Sequence, residues 1–144
     1  MPQSVIVAYQ GPVGLRYIEA AFAQWSGGSL AAFESQLQVT IGERSPIVIA
    51  GLVNRSIAVA DYEDNEDNDT DLRELAGSLN YIYMTFSDLV VAREVLERLL
   101  RFLVAGGRCW VDSDHGWVRT GEWFLAQLSR SPDWTWRTAS PSDG

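Results

Sequence analysis

Residues 88–105, DLVVAREVLERLLRFLVA, place the strongest constraint on what this chain can fold into. Leu89, Ala92, Val95, Leu96, Leu99, Phe102 and Leu103 recur at helical spacing and form one apolar stripe. Glu94–Arg98 and Glu97–Arg101 stand four apart on the opposite face, each with the glutamate on the favourable N-terminal side. A helix with so broad an apolar face needs an equally broad apolar surface to cover it. The β-rich runs Ser4–Tyr9, Pro46–Val53, Ser56–Tyr62, Tyr81–Phe86 and Arg108–Asp112 supply one.

The punctuation between these runs completes the outline. Ser87 is placed to cap the long helix, and Gly106–Gly107 to end it. Leu15, Ile18, Phe22 and Trp25 predict a helix over 14–25, stopped by Gly27–Gly28, and Ser29 caps a second short helix through Leu37. Asn54–Arg55 reads as a hairpin turn between two strands. Asp71–Leu79 reads as a short helix, and Thr120 caps a last helix to about Ser129. After Pro132, DWTWR adds a short edge strand, and 138–144 form a flexible tail. The expectation is an α+β fold: a single domain over 1–137, with a mixed or largely antiparallel sheet of about five strands packed with three to five helices. The chain's 144 residues suit one domain.

Charge separates the function classes. The net charge is −8, which disfavours nucleic acid or an anionic membrane as a direct partner and favours a protein with a basic surface. Seven of the nineteen acidic residues fall within ADYEDNEDNDTD: Asp61, Glu63, Asp64, Glu66, Asp67, Asp69 and Asp71. All eleven basic residues are arginine, which removes Schiff-base lysine chemistry and lysine-bearing phosphate loops. Cys109 is the only cysteine, so no intramolecular disulfide and no cysteine zinc site is expected. The N-terminus shows no signal-peptide pattern and no run long enough to span a bilayer, so the expected location is the cytoplasm.

Taking Glu63 as position 1 of a calcium loop puts oxygen donors at Asn65, Asp67, Asp71 and Glu74. Position 1 is then Glu rather than Asp, and position 6 is Asn68 rather than Gly, so the pattern fails where such a loop is strictest. Asp112-x-Asp114 resembles the aspartate pair of haloacid-dehalogenase-type phosphatases, but no lysine is present and few residues follow. A Cys109–His115 dyad lacks an oxyanion motif, and an apolar strand makes Cys109 an inert core thiol. Gly11–Gly14 lacks the third glycine of a dinucleotide cradle. No cofactor is implied. The enzyme alternative is a small metal-dependent hydrolase built on Asp112, Asp114 and His115.

Five of the six tryptophans lie in the last thirty-five residues. Trp110 and Trp123 read as core. Trp117, in the turn after DSDH, is expected to stand partly exposed and to anchor a partner. For Trp136 core and interface are equally weighted. The block CWVDSDHGWVRTGEWFLAQLSRSPDWTW, after an amphipathic helix and an acidic run, resembles the C-terminal part of bacterial toxin-immunity proteins. These are small cytosolic partners, encoded beside polymorphic or contact-dependent toxins, that neutralise the toxin by binding it. The resemblance implies an inhibitor without catalysis, acting on a basic toxin such as a nuclease. A phage-encoded DNA mimic directed at a host defence protein is the competing reading of the same acidic surface.

Overall fold

Alternation along the first strand sets the architecture. The computed structural model describes residues 3–113, 117–131, 134 and 136. In β1 (Gln3–Tyr9), Val5, Val7 and Tyr9 enter one apolar cluster, while Ala8 enters a second on the opposite face, with Ile6 packed against it. β1 lies inside the sheet, flanked by β5 (Asn80–Phe86) and β6 (Cys109–Asp112). Together with β2 (Ser29–Ala32), β3 (Gln36–Thr40), β4 (Ile47–Gly51) and β7 (Val118–Thr120) they form a seven-stranded sheet in the order β2-β3-β4-β5-β1-β6-β7. Every pairing is antiparallel. The α+β class holds, with β2, β3 and β7 beyond the expected strands.

The larger cluster lies under α1 (Leu15–Glu19), α4 (Leu89–Gly106) and α5 (Gly121–Arg130), which pack on the face carrying Val5, Met84, Val111 and Ile49. The stripe read from the sequence is the buried one: Ala92, Val95, Leu96, Leu99 and Leu103 are each fully covered. Asp88, not Ser87, is the N-cap of α4. Its carboxylate accepts from the backbone N–H groups of Val90 and Val91 at 3.0 and 3.3 Å, and Arg44 donates to it at 2.7 and 3.2 Å. A charged acceptor held by a guanidinium fork suits the positive end of a helix better than a hydroxyl.

The smaller cluster joins Ala8, Tyr81 and Trp110 of the sheet to Ala58 and Tyr62 of α2 (Arg55–Asp64) and Leu72 of α3 (Thr70–Leu75). The sheet is therefore sandwiched at its β5-β1-β6 end, between helices on both faces. Residues 56–62, expected as a strand after a hairpin turn, are instead helical. Ala58 and Tyr62 stand four apart and bury on the sheet, whereas Ile57 is 59% exposed, so β-branched content misled where helical spacing decided. The converse holds for the helix expected through Leu37. Leu37 and Val39 are buried and alternate with the half-buried Gln36, Gln38 and Thr40, the period of a strand, and Phe33 N–H closes the β2–β3 hairpin on Gln36 O at 2.8 Å. The expected edge strand after Pro132 and the 138–144 tail lie outside the described residues.

Arginine has a structural use here. Arg55 donates to Gly77 O and Leu79 O at 2.7 and 2.9 Å, Arg98 to Ala21 O and Ala23 O at 2.8 and 3.1 Å, and Arg93 to Leu128 O, Ser131 O and Trp134 O. Each planar fork gathers two or three backbone carbonyls at once, a geometry a single ammonium cannot match. Gly121 is required by packing: a Cβ there would sit 2.2 Å from Cys109 Sγ. Beside it, Phe124 is fully buried and its ring meets those of Trp117, Trp123, Trp134 and Trp136 at centroid distances of 5.3–6.0 Å.

Candidate functional site

The acidic run does not hang free; alternate residues of one strand hold its second half. Trp110 and Asp112 point to the same face of β6, and Arg108, the residue just before that strand, continues the alternation. Arg108 donates to Asp71 at 2.5 Å and stacks over the Trp110 ring, 4.9 Å from its centroid. Trp110 Nε1–H donates to Asp69 at 3.3 Å, and Tyr62 O–H donates to Asp112 at 2.7 Å. Asp69 also caps α3 by accepting from Asp71 N–H at 3.0 Å. Asp69 and Asp71 are thus structural anchors as well as acidic groups.

The remaining five carboxylates of the run differ. Asp61, Glu63 and Asp64 lie on α2, Glu66 and Asp67 in the turn after it, and all five are exposed. Asn65 shapes that turn, its Oδ1 accepting from Asp67 N–H at 3.0 Å, and Asn68 donates to Tyr62 O at 3.3 Å. Asp61 and Asp64 share one side of α2, and with Asn65 and Asn68 of the turn after it they line a common cleft. Its other wall is the β6–β7 segment with Asp112, Trp117, Val118 and Arg119, and the enclosed volume is about 510 Å³. Four carboxylates, those of Asp61, Asp64, Asp67 and Asp112, face one opening. Glu63 and Glu66 stand outside it.

Trp117 corrects an expectation. It is 8% exposed, and its ring stacks on Phe124 at 5.6 Å and meets Trp123 and Trp134. The chain after β6 turns back to form β7, which sequence patterning did not show, and that reversal carries the indole into the core. Trp117 contributes a wall of the cleft and no protruding anchor. Trp136 is buried as well, against Phe86 and Phe124.

The calcium-loop register is divided by the fold, since Glu63 is in α2, Asn65 caps its end and Asp71 sits in α3 against Arg108. Among the described residues, no three His, Cys, Asp or Glu side chains are grouped to hold a metal ion. Of the hydrolase trio, Asp112 is the acceptor of Tyr62, and Asp114 and His115 lie outside the described residues. Cys109 is buried, and burial, then the charge of Glu122, pushes its thiol up to about 12, a neutral and unreactive state.

Tyr62 bears on stability at high pH. Its hydroxyl is held far above the ordinary 10.0, first by burial and then by the Asp112 carboxylate it donates to. The unfolded chain therefore releases the Tyr62 proton near pH 10.0, and that of Cys109 near 9.0, while the folded chain keeps both. The native state then binds more protons, so stability is fully present below pH 9 and falls as pH rises. Each of these two groups contributes a slope of up to ~1.4 kcal/mol per pH unit. Urea midpoints between pH 7 and 11 should show the fall, and Tyr62→Phe should make it shallower above pH 10. An unchanged slope in that variant would refute the assignment.

No helix among the described residues is long and apolar enough to cross a membrane. Comparison of the chain with protein-family profiles, with curated proteins and with solved structures gave no match.

Proposed function

We propose that this chain is a cytoplasmic inhibitor of the immunity type, which neutralises a basic toxin, such as a nuclease, by direct binding through the face formed by α2 and the turn after it. The observation that carries the reading is the cleft in which Asp61, Asp64, Asp67 and Asp112 share one opening, with Glu63 and Glu66 extending the acidic surface beside it. Among the described residues lining it, four carboxylates against one guanidinium, that of Arg119, leave the opening negative, and that charge draws an incoming cation. A positive surface on another protein supplies such cations in quantity, and complementary fields raise association from about 10⁵–10⁶ toward 10⁸ M⁻¹s⁻¹ at low salt.

The test uses affinity capture from the native host, followed by kinetics with the captured protein. The expected partner is basic, is toxic when expressed alone, and is silenced by co-expression of this chain. A variant with Asp61→Asn, Asp64→Asn, Glu66→Gln and Asp67→Asn, none of them ion-paired among the described residues, should associate about tenfold or more slowly at low salt. Its rate should also vary less with ionic strength. Equal association rates at every salt concentration, or a partner that is not basic, would remove the reading.

A further inference from the structure

The acidic cleft continues into a second hollow of different character. Ile6, Leu52, Ile57 and Ala58 line a space of about 200 Å³ that shares Asp61, Tyr62 and Asp112 with the cleft. The two spaces form one groove between α2 and a row of cross-strand neighbours, Ile6, Asp112 and Val118, on β1, β6 and β7. Its floor is fixed by the Tyr62–Asp112 hydrogen bond at 2.7 Å. One end is aliphatic, with Ile57 59% exposed at its rim, and the other end carries the carboxylates of Asp61, Asp64, Asp67 and Asp112 against the guanidinium of Arg119.

We infer that this groove takes a segment of the partner protein in which an aliphatic side chain and an arginine or lysine lie on one face. The aliphatic group fills the hollow beside Ile57 and the cation enters between Asp64 and Asp67. Ile57 in the hollow and Asp64 in the cleft are seven residues apart on α2, roughly 10 Å along its axis. In an extended chain residues i and i+4 share one face about 13 Å apart, so the aliphatic group and the cation stand four residues apart and the long basic side chain takes up the difference. The charge of the rim selects the basic end, and the apolar lining selects the other. A groove with carboxylates alone would admit any polycation, so the hollow is what gives the site discrimination. The inference rests on the proposed function above and adds the kind of segment recognised.

The experiment is a titration of the full chain, ¹⁵N-labelled, with two synthetic capped peptides, Leu-Ala-Ala-Ala-Arg and Ala-Ala-Ala-Ala-Arg. The leucine peptide should bind about tenfold more tightly, with shifts at Ile6, Ile57 and Ala58 as well as at Asp64 and Asp67. Ile57→Asp, at an exposed position, should bring the two peptides to equal affinity, and Asp64→Asn with Asp67→Asn should weaken both. Equal affinities in the wild-type chain, or shifts confined to the carboxylates, would overturn the inference while leaving a basic partner standing. Absence of shifts with either peptide would overturn it too. The wider reading is decided separately by the association kinetics of the carboxylate variant.

Discussion

Replacing Phe124 by alanine is expected to remove about 3–5 kcal/mol of stability, the cost of deleting a large buried aromatic side chain. The ring is fully covered and is the common neighbour of Trp117, Trp123, Trp134 and Trp136. No single one of these indoles can shift into the void without leaving the others, so the cavity stays open and the full cost is felt. Phe124→Leu keeps much of the volume and should cost distinctly less. Urea denaturation followed by far-UV circular dichroism measures both, and a loss below about 1 kcal/mol in the alanine variant would contradict the packing described.

The second large effect concerns the other face of the sheet. Trp110→Ala should also cost about 3–5 kcal/mol, but with a different distribution. Trp110 is 1% exposed and holds the second layer in three ways: it fills the cluster with Tyr62 and Leu72, stacks under Arg108 and donates to Asp69. The cluster under α4 does not include it. Its loss should therefore let α2 and α3 open while α4 stays closed. Hydrogen exchange reads this directly: amides of 55–75 should lose far more protection than those of 89–106. Equal loss in both segments would show that the two layers unfold as one.

The α4 stripe and its burial were legible because eighteen residues of consistent periodicity outweigh any local ambiguity. Tyr81–Phe86, Arg108–Asp112 and the Thr120 cap were legible for similar reasons of pattern, and Thr120 does accept from Trp123 N–H at 3.1 Å. Residues 56–62 were not, because Ile57 and Val59 favour a strand locally and only the tertiary fit of Ala58 and Tyr62 selects a helix. The carboxylates of the site were visible as composition. Their division into anchors and cleft was not, since Arg108–Asp71 and Trp110–Asp69 join residues 37 and 41 apart. The aliphatic hollow was likewise hidden, being assembled from β1, α2 and the segment after β4. Trp117 failed for a related reason: a three-residue strand gives too short a pattern to foretell the reversal that buries it.

The ring cluster at the end of the chain also makes the molecule its own optical probe. Trp117 touches Trp123 and Trp134 at centroid distances of 5.7 and 6.3 Å, and the same indole lines the cleft. Emission and near-ultraviolet dichroism from these coupled chromophores will therefore register both the tightness of the C-terminal packing and the arrival of a visitor at the acidic opening. Occupancy can be followed in unlabelled protein, and a stain-free signal of that kind persists at the ionic strengths where steering fades.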